Sequence, residues 1–313
     1  YLGIIDGAVG SSRRVWVTIR ETLVLLCIAI GLTPAFKMKF WNIGAEGQIL
    51  MGGMATAALM IYAGDAMPNW LLLILIFVAS AAAGLIWGLI PAVFKAYFNT
   101  NETLFTLMLN YVAMQFVTFA IVFWENPSGS NTVGIINAAG QKGWFPSIFG
   151  NMYGLNVIVV LIITFGMYVY MKYSKQGYEI AVVGESQNTA RYAGINVKKV
   201  IIRTMMLSGA ICGIAGCLIV SGASHTISTS TAGGRGFTAI IVAWMSKFNP
   251  FAMILVSAFL VFMQQGSIQI ASQFGLNENA SDIITGILLF FLIGCEFFIN
   301  YKLEWKKNHK EGK

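Results

Sequence analysis

Apolar runs long enough to cross a membrane alternate with short polar stretches along this chain. Residues 22–36, 46–64, 70–94, 102–123, 154–171, 203–223, 250–271 and 281–300 each read as a helix bounded by charged, Gly or Pro positions. A spanning helix takes about 20 residues. A ninth run, 236–247, is apolar but only about half a membrane long, and it ends at Lys247 and Pro250. The pattern predicts an all-α, polytopic helical membrane protein. Nine segments are visible, and an upstream span would bring the total to about ten.

Two segments break the pattern. Residues 41–53 (WNIGAEGQILMGG) place Asn42, Glu46 and Gln48 among glycines at the start of a span. Residues 233–247 (GGRGFTAIIVAWMSK) place a Gly-rich turn and Arg235 before the short apolar helix. Irregular backbone at membrane depth is tolerated only where protein or a wet cavity surrounds it. Two such breaks in one chain suggest two related halves, as in many transporters.

Composition sharpens the picture. Only 11% of residues are charged and 57% are apolar, with a mean hydropathy of +0.72. A soluble domain carries roughly 25% charge, so soluble enzyme classes are excluded. The net charge of +7 sits in loops and at the tail. Lys172, Lys175, Arg191, Lys198, Lys199 and Arg203 cluster around 173–200, and Lys302, Lys306, Lys307, Lys310 and Lys313 form a basic tail over 302–313. That is the positive-inside signal rather than a nucleic-acid surface. It places 173–200 and the tail in the cytoplasm and the Gly- and Pro-rich loop 124–153 outside. Arg13 and Arg14 then fall outside, which a further upstream span accommodates; the first residue is Tyr, not Met. Trp41, Trp70, Trp124 and Trp305 read as interfacial anchors. Cys27, Cys212, Cys217 and Cys295 lie in apolar stretches without metal-ligand spacing and read as buried thiols.

Candidate chemistry is sparse. An intramembrane carboxylate is costly and by default functional. Glu46 therefore either lines a pathway or serves structure, capping backbone amides or pairing with a cation. Asn42 and Glu46, at i and i+4, would share a helix face, and Gln48 has the same two readings. Glu102, Thr106 and Asn110 recur at i, i+4 and i+8, a polar stripe that must meet protein or water. Asn110, with Gln115 beyond it, reads as lining for a polar solute or as an interhelical hydrogen-bonding group. Glu102 reads as a helix-start acid. The loop 173–200 is amphipathic, and a short helix from about Ser186 to Ala193 between glycines reads as a docking element for a cytosolic partner. Its lysines Lys198 and Lys199 could alternatively hold anionic membrane lipid. The only histidines, His225 and His309, have no carboxylate cluster beside them, and no phosphate-binding loop is present. The Ser/Thr-rich stretch 221–230 has no acid to complete a triad and reads as a polar vestibule.

Four motifs in order carry a resemblance: NIGAEGQ (Asn42–Gln48), NETLFTLMLNY (Asn101–Tyr111), GYEIAVVGESQNTARYAGI (Gly177–Ile195) and GRGFTAIIVAWMSKFNP (Gly234–Pro250). Over residues 20–300 the chain resembles the permease subunits of bacterial ABC importers for nucleosides and simple sugars, in the branched-chain-amino-acid/ribose-type family. It is most similar to nucleoside permeases that work with basic-membrane-protein-like lipoproteins. The resemblance implies about ten helices in two pseudosymmetric halves, a type II importer arrangement, of which this chain lacks the first helix. It implies a second permease, identical or related, two cytosolic ABC ATPases and an extracellular substrate-binding lipoprotein. By motif, it assigns ATPase coupling to Gly184, Glu185, Asn188, Ala190, Arg191, Tyr192 and Gly194.

The expectation is a single transmembrane permease domain in the bacterial cytoplasmic membrane that does no covalent chemistry. It binds no cofactor itself; ATP and Mg belong to the partner ATPase. The cargo would be a purine or pyrimidine nucleoside, or alternatively a simple sugar such as ribose. The alternative from another class, an ion-gradient-driven carrier or channel, needs acids on its pathway, for which only Glu46, Asp282 and Glu296 are available.

Overall fold

The computed structural model describes residues 2–148 and 151–276, and beyond them 283, 285–287, 290, 291, 294 and 295. Most of the expected last span (281–300), with Asp282 and Glu296, lies outside the described residues, as do Trp305, His309 and the tail 302–313. The helices are α1 (Leu2–Val9), α2 (Ser12–Lys37), α3 (Ala45–Ala63), α4 (Asn69–Phe98), α5 (Glu102–Trp124), α6 (Gly154–Tyr173), α7 (Lys175–Glu185), α8 (Gln187–Tyr192), α9 (Val197–Ile219), α10 (Arg235–Met245) and α11 (Pro250–Gln273). A π-turn, Val220–Ser224, prolongs α9. Among the described residues the only β-pairing is an isolated bridge, Ile148 to Asn151.

Among the described residues six helices are long and apolar enough to cross a membrane: α2, α4, α5, α6, α9 with its π-turn, and α11. With α3 and the half-length α10 they match eight of the nine expected segments to within a few residues, except that α2 begins ten residues earlier, at Ser12, and α9 six residues earlier, at Val197. Polar side chains fix the boundaries. Asn101, Ser174, Ser186 and Asn196 each accept a hydrogen bond from a first-turn amide of the helix that follows, satisfying donors that have no partner within the helix.

The chain forms two compact units, Ile19–Ala258 and Tyr1–Thr18 with Phe259–Lys313. In the larger unit α9 is the hub, buried along most of its length. It meets α4 and α3 backbone to backbone. A Cβ on Gly84 would lie 2.2 Å from the Gly209 carbonyl, one on Gly213 2.2 Å from the Ser80 carbonyl, and one on Gly216 2.2 Å from the Ile49 carbonyl. Small residues four apart allow this approach. At one end Ile180, Val183 and Ala190 of α7–α8 pack with Ala35, Ala92 and Met205 at the ends of α2, α4 and α9. At the opposite end residues 125–148 fold back over α3, α4 and the π-turn. There Asn137 Nδ2 donates to the Met60 carbonyl (2.6 Å), and the Phe145 amide donates to the Ser221 carbonyl (3.2 Å). Cys27, Cys212 and Cys217 are buried free thiols, whereas Cys295 is exposed.

In the smaller unit α1 packs on the second half of α11. Gly266 leaves room for Ile4, whose Cγ2 would sit 2.4 Å from an added Cβ. Arg14 donates to the Asp6 carboxylate at 2.6 Å.

Candidate functional site

The chain climbs from α2 to α3 without forming helix, so Asn42 does not share a helical face with Glu46. The reason is local: the Gly44 amide donates to Asn42 Oδ1 (3.0 Å), closing a short turn, and α3 starts only at Ala45. The start of α3 is stitched to α5. Asn110 Oδ1 accepts from the Gly47 amide and Asn110 Nδ2 donates to the Ile43 carbonyl, both at 2.9 Å, while the Ile43 amide donates to Thr106 Oγ1 (3.2 Å). Asn42 and Gln48 pair their side-chain amides reciprocally at 3.4 Å, and Asn42 also reaches Ser208 Oγ (3.3 Å). All of these polar groups are buried. The polar stripe of α5 thus satisfies backbone groups freed where α3 breaks. Gln115 is exposed on another side of α5 and joins none of them.

Glu46 lies in the first turn of α3 and its Oε1 accepts from the Gly236 amide, in the first turn of α10, at 2.9 Å. Gly236 is required by this approach, since a Cβ there would lie 2.8 Å from the Glu46 amide nitrogen. Two broken helices therefore present their N-termini to one carboxylate, which is favourable at each.

Beside this junction stands an ion cluster that sequence reasoning missed. Arg235 donates from Nε and Nη2 to Glu21 Oε2 (3.0 and 2.8 Å), and Arg20 Nη2 donates to Glu21 Oε1 (2.5 Å). The Arg20 guanidinium also lies over the Tyr153 ring, 5.2 Å from its centroid. The available signal was an adjacent Arg–Glu pair at the border of an apolar run. The cluster edges a cavity of about 270 Å³ lined also by Ser224, Thr226, Ser228, Ser230 and Thr231, in the stretch read as a vestibule.

Farther out, the His225 ring stacks on Trp144 (3.7 Å between centroids, 6° between planes). Burial, and then the Arg20 charge, hold its pKa below the ordinary histidine value. Asn156 of α6 is fully buried against Gly222 of the π-turn, and among the described residues neither of its amide atoms has a partner. Glu102 opens α5 and pairs with Lys95 at 2.8 Å. Among the described residues no group of three or more His, Cys, Asp or Glu could hold a metal ion.

At the end bearing α7 and α8 the coupling candidates divide. Glu185, Asn188, Arg191, Tyr192 and Gly194 are exposed, with Tyr192 at 93%. Gly194 has a φ of +77°, the left-handed conformation that glycine adopts without strain. Ala190 faces the core. Gly184 is buried against the end of α2, where a Cβ would lie 2.0 Å from the Lys37 carbonyl.

Comparison with known proteins adds a family. The family described as "Branched-chain amino acid transport system / permease component" matches residues 17–293. The guanosine ABC transporter permease protein NupP of Bacillus subtilis is 29% identical over 295 residues, which is 93% of this chain and 84% of that protein. The nucleoside ABC transporter permease protein NupB of Lactococcus lactis is 26% identical over 312 residues (97% and 85%). The glucose ABC transporter permease protein TsgB13 of Haloferax volcanii is 29% identical over 293 residues (90% and 76%). No solved structure matches.

Proposed function

This chain belongs to the branched-chain amino acid transport system / permease component family, and on that basis we propose that it is the permease of an ATP-driven importer of neutral nucleosides. At the coarser level it is a multi-pass membrane protein, an ABC importer permease of the nucleoside/sugar type, with ATP hydrolysis in a separate subunit. The family match across most of the chain supports the permease role, and the similarity over nearly the whole chain to a guanosine and a nucleoside permease carries the reading of the cargo. In the full transporter it pairs with a second permease and rests on cytosolic ATPases that bind ATP and Mg. A lipoprotein delivers the cargo, and about ten helices in two related halves surround the path.

In this reading Asn42, Glu46, Gln48 and Asn110 shape the pathway by holding the broken starts of α3 and α10. Gln115 reaches it only across a pairing of two permeases. Half-helix N-termini commonly receive an anionic group of the cargo. Here Glu46 already occupies that position, which supports an uncharged cargo. Gly184, Glu185, Asn188, Ala190, Arg191, Tyr192 and Gly194 couple the permease to the ATPase, the exposed ones by contact and the buried ones by packing. The similarity to a glucose permease favours a simple sugar as the second reading.

Uptake of labelled guanosine into vesicles carrying the reconstituted complex tests this. Uptake should require ATP and survive an uncoupler. It should be inhibited by other nucleosides but not by nucleoside monophosphates. Inhibition by glucose and not by nucleosides would move the assignment to sugars. Uptake that needs no ATP and collapses with an uncoupler would overturn it.

A further inference from the structure

At the end bearing α7 and α8 a crevice of about 520 Å³ opens between α2, α6 and the link from α10 to α11. Ile30, Met167 and Met171 make its walls apolar, while Lys37, Lys172 and Lys247 stand along it. Among the described residues no carboxylate lines it and none of these lysines is ion-paired. Lys172 is steadied by Tyr168, whose hydroxyl lies 2.9 Å from Nζ, and it also stands over the Tyr173 ring. Lys37 closes α2, and Lys247 follows α10 in a left-handed conformation (φ +47°). The start of α11, where Asn249 Oδ1 accepts from the Phe251 amide (3.0 Å), adds the positive end of a helix dipole.

The three cations come from three different elements and line one crevice at the ends of the apolar helices α2 and α6, over an apolar recess. A soluble anion would leave the recess empty, and a zwitterionic lipid would leave the excess positive charge unbalanced. Basic pockets between membrane helices suit anionic headgroups, and lysine stems can lie along apolar surface while the ammonium group stays at the interface. We propose that this crevice binds one anionic phospholipid, its phosphate among Lys37, Lys172 and Lys247 and an acyl chain along Ile30, Met167 and Met171. Such a lipid would tie the foot of α2 to the α10–α11 link.

The test uses the intact permease–ATPase complex in mild detergent, with native mass spectrometry after addition of phosphatidylglycerol or phosphatidylcholine. One phosphatidylglycerol should be retained per permease, in preference to phosphatidylcholine. Lys37→Gln, Lys172→Gln and Lys247→Gln together should lower its retention by about tenfold or more. The same charge removed at Arg13, Lys142 and Lys175 should leave it unchanged. Met167→Trp, which fills the recess without altering charge, should also expel the lipid, and it decides the matter if the triple variant fails to assemble. Undiminished retention in the crevice variants, equal loss in the control variant, or equal retention of phosphatidylcholine would overturn the proposal. Displacement by glycerol 3-phosphate would identify a soluble phosphate as the ligand and overturn it equally.

Discussion

A carboxylate at membrane depth costs several kcal/mol unless its charge is met. Glu46 meets it with backbone, accepting from Gly236 while standing in the first turn of its own helix. Glu21 meets it with two guanidiniums, one on each oxygen. The two acids therefore have different sensitivities, since a cap needs an acceptor whereas an ion cluster needs a charge. Glu46→Ala should leave the Gly236 amide unpartnered and lower stability by about 1–3 kcal/mol. Glu46→Gln keeps an acceptor and should lose less than half as much. Thermal denaturation of the detergent-solubilised complex, read beside cargo uptake, checks this. If both variants melt like the wild type, the cap contributes nothing to the fold. If Glu46→Gln melts normally but does not transport, the charge itself acts on the pathway.

Helix packing in this chain depends on absent side chains. Gly84→Ala puts a methyl group 2.2 Å from the Gly209 carbonyl, and Gly213→Ala does the same against Ser80. Backbone cannot step aside as a side chain can, so each should destabilise by about 1–3 kcal/mol or more. Gly166→Ala in α6, where no described residue lies within 4 Å of an added Cβ, should be neutral or stabilising by about 0.5–1 kcal/mol. Melting temperatures of the three variants decide it; equal behaviour would mean the α4–α9 seam tolerates separation. The helices themselves were legible in the sequence because apolar run length and membrane thickness set the same scale. The short α8 was legible because Ser186 is a good cap and glycines flank it. The glycine seams were open to reading as well, as GLIWG (84–88) and GAICG (209–213). What the sequence hid was long-range. Nothing local says that Asn42 turns back on Gly44 instead of joining α3, that Asn110 serves the backbone of another segment, or that Glu21 meets Arg235. These pairings depend on where two helices break and face each other, which periodicity does not encode.

An importer needs force at its foot to reach the breaks in its middle, and the contacts here form a continuous route. Exposed Arg191 and Tyr192 sit on α8, whose Ala190 packs with Ile180 and Val183 of α7 against the ends of α2, α4 and α9. Gly184 brings α7 onto the last carbonyls of α2. Farther along, α2 carries Glu21, which holds Arg235 at the start of α10, and α10 is held in turn by Glu46 of α3. Contiguity alone does not establish coupling, but it separates two defects that would otherwise look alike. Arg191→Ala with Tyr192→Ala removes contact surface only. The permease should keep its melting temperature, retain less ATPase through purification and lose cargo-stimulated hydrolysis. Gly184→Ala leaves the outer surface of α8 intact while forcing α7 away from α2. The ATPase should stay bound and hydrolyse at its basal rate, but cargo carried per ATP consumed should fall several-fold. Measuring co-purified ATPase, basal and stimulated hydrolysis and uptake on the same preparations distinguishes the two. If Gly184→Ala transports with normal stoichiometry, the close packing of α7 on α2 is a matter of stability alone, and the stroke must enter the membrane through α9, the helix that follows α8 directly in the chain.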